Sequence, residues 1–254
     1  MNHSGVKTFL YPGILFLALT SFHTPGRAPR STIRLVFSAV VGDSPLVLKQ
    51  AVYVNPFGER YTVSRFRYYV SHLAFAASGN DAEPAGRCHL VDVADPSSGV
   101  ITLSVPAGHY STLYFLLGVD SLHNVSGAQS GDLDPDRGMF WTWNSGYVMA
   151  KLEGTSAVSP LVDHRFEYHI GGYAGRYAVL QEISLPLGAG GTGFAANRTY
   201  RVTISADVDA WWHGAFDLKI ARQPAVATPG ALAREISDNY ARMFRIDTII
   251  PEQE

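Results

Sequence analysis

The stretch IRLVFS, Ile33 to Ser38, decides how the chain is read. Ile33, Leu35 and Phe37 fall on one side of an extended backbone and Arg34, Val36 and Ser38 on the other, the period of two that a half-buried strand requires. The pattern continues outward. Gly42-Asp43-Ser44-Pro45 is a turn cluster, and Leu46-Val47-Leu48 opens another apolar run. Asn55-Pro56-Phe57-Gly58 turns the chain into Arg60 to Ala77, where Tyr61, Phe66, Tyr68, Tyr69 and Phe75 give high strand propensity. Cys88 to Val93, Val100 to Val105, Tyr110 to Val119, Met139 to Glu153, Phe166 to Gly171, Tyr177 to Leu187 and Tyr200 to Val208 read as further strands. Ser78 to Gly86 is a polar loop, and Gly188 to Gly193 a hairpin-like connection. Near the C-terminus, Leu232, Ile236, Tyr240 and Met243 recur at helical spacing, with Thr228 placed to cap the helix and Pro229 in its first turn. The pattern predicts an all-β fold: one antiparallel β-sandwich of Ig-like or Greek-key type over residues 31–254, closed by a C-terminal α-helix.

The bulk properties agree. A hydrophobic content of 46% is ample for a core, and the formal net charge of −2 argues against a nucleic-acid partner, which needs a basic field. At the N-terminus Lys7 precedes the apolar run Phe9 to Leu19, and a Pro/Gly/Arg-rich linker follows from Pro25 to Arg30. Residues 1–26 are read as a signal peptide and the start of that linker, which predicts a periplasmic or secreted protein. The apolar run is shorter than the roughly 20 residues of a membrane helix, so no span is expected in the mature chain. Cys88 is the single cysteine, so no internal disulfide forms and stability must come from the core.

Several stretches carry chemistry. In GMFWTWNSGY, Gly138 to Tyr147, an extended backbone would place Met139, Trp141 and Trp143 on one face and Phe140 and Thr142 on the other. Such a face serves as core packing or as an aromatic platform for a sugar or protein partner, and both readings stand on the residues alone. Before it, residues 120–138 have no apolar periodicity, and a loop of that length is more often functional than decorative. In YHIGGY, His169 precedes two glycines, where backbone can come close to a bound group. His89 adjoins Cys88, and strand neighbours point to opposite faces, so one at most serves a given site. His72, His109, His123, His164 and His213 have no diagnostic spacing, and no CxxC, HxH or HExxH occurs. Asp132, Asp134 and Asp136 alternate as in a calcium loop, but Gly138 is one place late and Trp143 stands where the EF-hand needs Glu. With no nucleophile elbow, phosphate loop or paired-carboxylate site, nothing supports catalysis, and the chain is read as non-enzymatic.

Four stretches together resemble the MbnP-like family, periplasmic copper proteins of methanobactin operons. They are RFRYYVSHLAF (Arg65 to Phe75), LLGVDSLHNVSGAQSGDLDPDRGMFWTWNSGY running into KLEG (Leu116 to Gly154), FEYHIGGY (Phe166 to Tyr173) and ISDNYARMF (Ile236 to Phe244). The resemblance implies a copper(I)-binding protein for copper storage or delivery. It implies that the first Trp of W-x-W, here Trp141, is oxidised to kynurenine by a partner di-haem enzyme of the MauG/cytochrome c peroxidase type (MbnH type), with Trp143 as motif partner. Copper(I) prefers soft thioether and imidazole donors, which adds His169 and Met139 to the expected ligands, and His89 less directly. The stretch VFSAVVGD, Val36 to Asp43, has no histidine where some relatives carry one. The alternative function is an extracellular carbohydrate- or protein-binding module using the Trp141/Trp143 face.

Overall fold

The computed structural model describes residues 28–77, 87–127, 129–142 and 146–253. The expected signal peptide, the polar loop of 78–86 and Trp143 lie outside the described residues. In chain order the elements are β1 (Arg30–Val41), β2 (Ser44–Pro45), β3 (Tyr53–Val54), β4 (Arg60–Ala77), β5 (His89–Asp92), β6 (Val100–Pro106), β7 (Gly108–Leu117) and α1 (Ser121–Val125). They continue with β8 (Phe140–Thr142), β9 (Gly146–Thr155), β10 (Arg165–Gly171), β11 (Gln181–Pro186), β12 (Thr192–Phe194), β13 (Thr199–Asp207), β14 (Ala225–Val226), α2 (Ala231–Tyr240) and β15 (Phe244–Pro251).

Two sheets face each other. In the first, β1 is flanked by β13 on one edge and by β6 and β2 on the other, and β15 adds outside β13. In the second, the long strand β4 is the spine. It pairs with β9 over Thr62 to Tyr68, with β5 over Arg67 to Val70 and with β7 over Val70 to Ala77, and β10 adds outside β9. The alternation read in IRLVFS holds, since Ile33, Leu35 and Phe37 are buried. Phe37 of β1 meets Tyr68 of β4 and Phe115 of β7 edge-on at 6.4 and 5.8 Å, and Phe244 of β15 meets Phe115 at 5.0 Å. Edge-to-face rings from four strands therefore join the sheets into one core.

The architecture is the expected all-β sandwich with a helix near the C-terminus, with local differences. β1 and β13 run parallel, as do β10 and β14, among otherwise antiparallel pairs. The helix starts at Ala231, with Gly230 at the cap and no side-chain capping bond, so Thr228 does not cap it. Pro229 lies outside the helix and packs against Gly172 instead. The chain does not end in the helix: β15 returns antiparallel to β13. Met139 to Glu153 is two paired strands, β8 and β9. Gly188 to Gly193 is no hairpin turn, because β11 and β12 both pair with β7 and the glycines bulge out between them. Among the described residues no helix is long and apolar enough to cross a membrane.

Candidate functional site

Alternation along β4 and β9 sends Phe66, Tyr68, Ala150 and Leu152 toward the other sheet, and Arg67, Tyr69, Met149 and Lys151 away from it. That outward face ought to be wet, yet Tyr69, Tyr147 and Met149 are buried. The aperiodic segment after β7 covers them. Tyr69 Oη donates to the Asp132 carbonyl (2.9 Å), Tyr147 Oη to the Leu133 carbonyl (2.7 Å), and the Val119 amide to Met149 Sδ (3.2 Å). Buried Asn124 fastens the cover, donating to the Val119 and Asp120 carbonyls (2.6 and 2.9 Å) and accepting from the Tyr147 amide (2.9 Å).

The last turn of the cover delivers Trp141. Asp134 caps the short 3-10 turn Pro135–Arg137 by accepting from the Asp136 amide, and Gly138 closes it in the left-handed region at φ 69°. Lys151 Nζ donates to the Gly138 carbonyl (2.6 Å) and Arg67 to the Arg137 carbonyl (2.8 Å), which pins the segment to the sheet. Burial pushes the Lys151 ammonium down from its usual range. The three aspartates do not converge as calcium ligands would. Asp134 caps, and Asp132 lies 3.9 Å from both Arg137 and His89.

Trp141 is half-buried, its six-membered ring laid on Gly171 of β10 so closely that a Cβ there would meet ring carbons at 2.6 and 2.9 Å. The close approach anticipated at the His-Gly-Gly run is therefore to Trp141 itself. Met139 departs from the expected shared face. It precedes the strand and is wholly buried, its carbonyl accepting from the Val148 amide, while a register shift falls between Phe140 and Thr142. The Phe140 ring packs on Tyr147 at 4.8 Å.

His169 lies two residues before Gly171 on the same strand, and its Nε2 is 2.8 Å from Glu153 Oε1. Burial works against the Glu153 charge, but the His169 hydrogen bond and the Arg65 and Lys151 charges outweigh it and lower its pKa. An ionised Glu153 accepts a hydrogen bond from Nε2–H, and in the neutral ring this leaves the Nδ1 lone pair as the donor. His89 is elsewhere. It sits on β5, with β4 and β9 between it and β10, and burial lowers its pKa against the pull of Asp132.

Spacing alone missed one cluster. Cys88 Sγ, an Asp120 oxygen and a His123 nitrogen lie within 4.8 Å of one another. Asp120 Oδ2 receives His123 Nδ1 and His72 Nε2, each at 2.7 Å. Partial burial opposes the Asp120 charge, yet these hydrogen bonds bring its pKa down to about 2. Burial and the neighbouring Asp120 push the Cys88 thiol up to about 12. No sequence signal was available, because the four residues come from β4, the approach to β5, the loop after β7 and α1.

Fold and site together define a β-sandwich that carries its polar chemistry on the covered outer face of one sheet. The family model described as MbnP matches residues 30–228, and the chain belongs to that family. The structure is similar to that of MbnP from Methylosinus trichosporium, with a TM-score of 0.51 and 14% identity over 72% of this chain and 77% of that one, a likeness of fold alone. No curated protein matches the sequence.

Proposed function

We propose that this is an exported, non-enzymatic copper(I)-binding protein for copper storage or delivery, in which Trp141 is oxidised to kynurenine by a partner di-haem enzyme of the MauG/cytochrome c peroxidase type. The observation that carries the reading is the placement of Trp141 on Gly171, two residues along β10 from His169. Opening the indole gives an aniline nitrogen and a ketone, so a packing group acquires donor atoms two residues along β10 from an imidazole that Glu153 engages through Nε2, with Nδ1 as its donor in the neutral ring. Imidazole and thioether suit copper(I), and Met139, wholly buried two residues before Trp141 in the chain, is the thioether candidate. A half-buried indole committed to Gly171 presents less open face than a glycan-stacking platform needs. His89 has no part in this patch.

Mass spectrometry of protein co-expressed with a di-haem partner should show a gain of about 4 Da on Trp141, from loss of one carbon and gain of one oxygen. Unmodified Trp141 in copper-replete native protein would sink the mechanism. His169→Ala should abolish tight copper(I) binding while the circular dichroism melt stays cooperative, and retained affinity would remove His169 from the site.

A further inference from the structure

We propose that Cys88, Asp120 and His123 form a second metal site, separate from the Trp141 patch, that takes a borderline divalent cation of the zinc(II) class. Three different donors, a thiol sulfur, a carboxylate oxygen and an imidazole nitrogen, converge within 4.8 Å from two segments of the chain, the approach to β5 and the start of α1. Asp120 is fixed independently of any metal: its Oδ1 accepts from the His123 amide (2.9 Å) and its carbonyl from Asn124 (2.9 Å). His123 leads from the same short helix, so carboxylate and imidazole are already held together.

His72 supplies the independent observation. It stands at φ 53° in the bulge where β4 loses register with β7 between Ser71 and Ala74. A non-glycine residue holds such a conformation only where its surroundings over-determine it, and such outliers gather at functional sites. The bulge brings His72 Nε2 onto the same Asp120 oxygen that holds His123 Nδ1. Two imidazoles thus share one carboxylate oxygen beside a thiol. The cluster is open to solvent on one side, since the His123 side chain is 26% exposed.

The donor set selects the cation. Zinc(II) accepts Cys sulfur, His nitrogen and Asp oxygen around a tetrahedron, and three protein ligands leave a fourth position for solvent. A hard carboxylate is a poor donor for copper(I), and calcium does not take thiol or imidazole. On binding, the Cys88 thiol releases its proton to solvent as the sulfur–metal bond forms. The His123–Asp120 hydrogen bond opens to admit the ion, the Nδ1 proton passing by way of solvent to Nε2 of the same ring so that Nδ1 can ligate, with no change of oxidation state. His72 keeps its hold on Asp120 and acts as a positioning residue.

The test uses the metal-stripped, purified protein. Competition against a chromophoric chelator should show one equivalent of zinc(II) bound. Cobalt(II) should bind in its place with a thiolate charge-transfer band in the near ultraviolet. X-ray absorption of the zinc form should contain a sulfur at about 2.3 Å. Cys88→Ser should remove the charge-transfer band, and His72→Ala should weaken zinc about tenfold while the band remains. Trp141→Phe should bind zinc as the unaltered protein does, so the outcome stands apart from the copper reading. Absence of stoichiometric zinc, or a zinc shell without sulfur in the unaltered protein, overturns the site even if Cys88→Ser does not fold.

Discussion

Gly171 shows how one missing side chain places another. Its hydrogen is what allows the Trp141 ring to lie on the β10 backbone, because a methyl there would come within 2.6 Å of a ring carbon and 2.9 Å of the Tyr147 carbonyl. Gly171→Ala must therefore shift the indole outward. We expect a loss of roughly 1–3 kcal/mol from this overpacking. It should be read as a lower Tm together with altered tryptophan emission and a lower yield of kynurenine when the partner enzyme is supplied. An unchanged Tm and emission would show that the ring does not rest there. The His-Gly-Gly run was visible in the sequence as a place of close approach, but nothing local to residues 169–172 named Trp141 as the group approaching. Met139 illustrates the opposite case. Its two-residue spacing from Trp141 suggested a shared face, and the register shift in β8 separated the two environments.

At the scale of elements, the cover after β7 decides what the outer face of the second sheet can do. It has little regular structure of its own, and its stability comes from side chains that satisfy backbone groups. Asn124 is the clearest of these, since it closes two carbonyls of the cover and the amide of Tyr147 on β9. Asn124→Ala leaves a buried amide and two carbonyls without these partners, at a cost of about 1–3 kcal/mol. Hydrogen exchange should report faster exchange at Tyr147 and along α1, with the inter-sheet strands unchanged. Equal loss of protection everywhere would mean that the cover unfolds only with the whole domain. The sequence marked the segment through its missing periodicity and its length. Its internal order could not be read, because Asp134 and Gly138 act as a cap and a stop only once the chain turns there.

Across the whole molecule, the sheets are tied at one end where the turn after β13 meets β4. Tyr61 Oη lies 3.5 Å from Asp209 Oδ1, and Trp212 Nε1 donates to the same Tyr61 oxygen at 3.1 Å. Burial, then the neighbouring Asp207 charge, raise the Asp209 pKa. The folded state thus holds the Asp209 proton more tightly than the unfolded state does. Stability from this group falls as pH rises through the window between the ordinary carboxylate value and the raised one, and stays lower at neutral pH. Asp209→Asn should accordingly raise the Tm at pH 7 and give no gain at pH 3; a gain that does not depend on pH would contradict the assignment. What the sequence determined by itself is local. Strand alternation follows from backbone geometry, so the inward set of Ile33, Leu35 and Phe37 and the sandwich class were legible, as was the motif around Trp141. What only the tertiary structure decided is which distant segments meet. The parallel pairing of β1 with β13, the return of β15 and the gathering of His72, Cys88, Asp120 and His123 depend on how the whole core packs. Burying a common apolar surface sets those contacts, and the energy that selects them is shared over the chain rather than written in any one stretch.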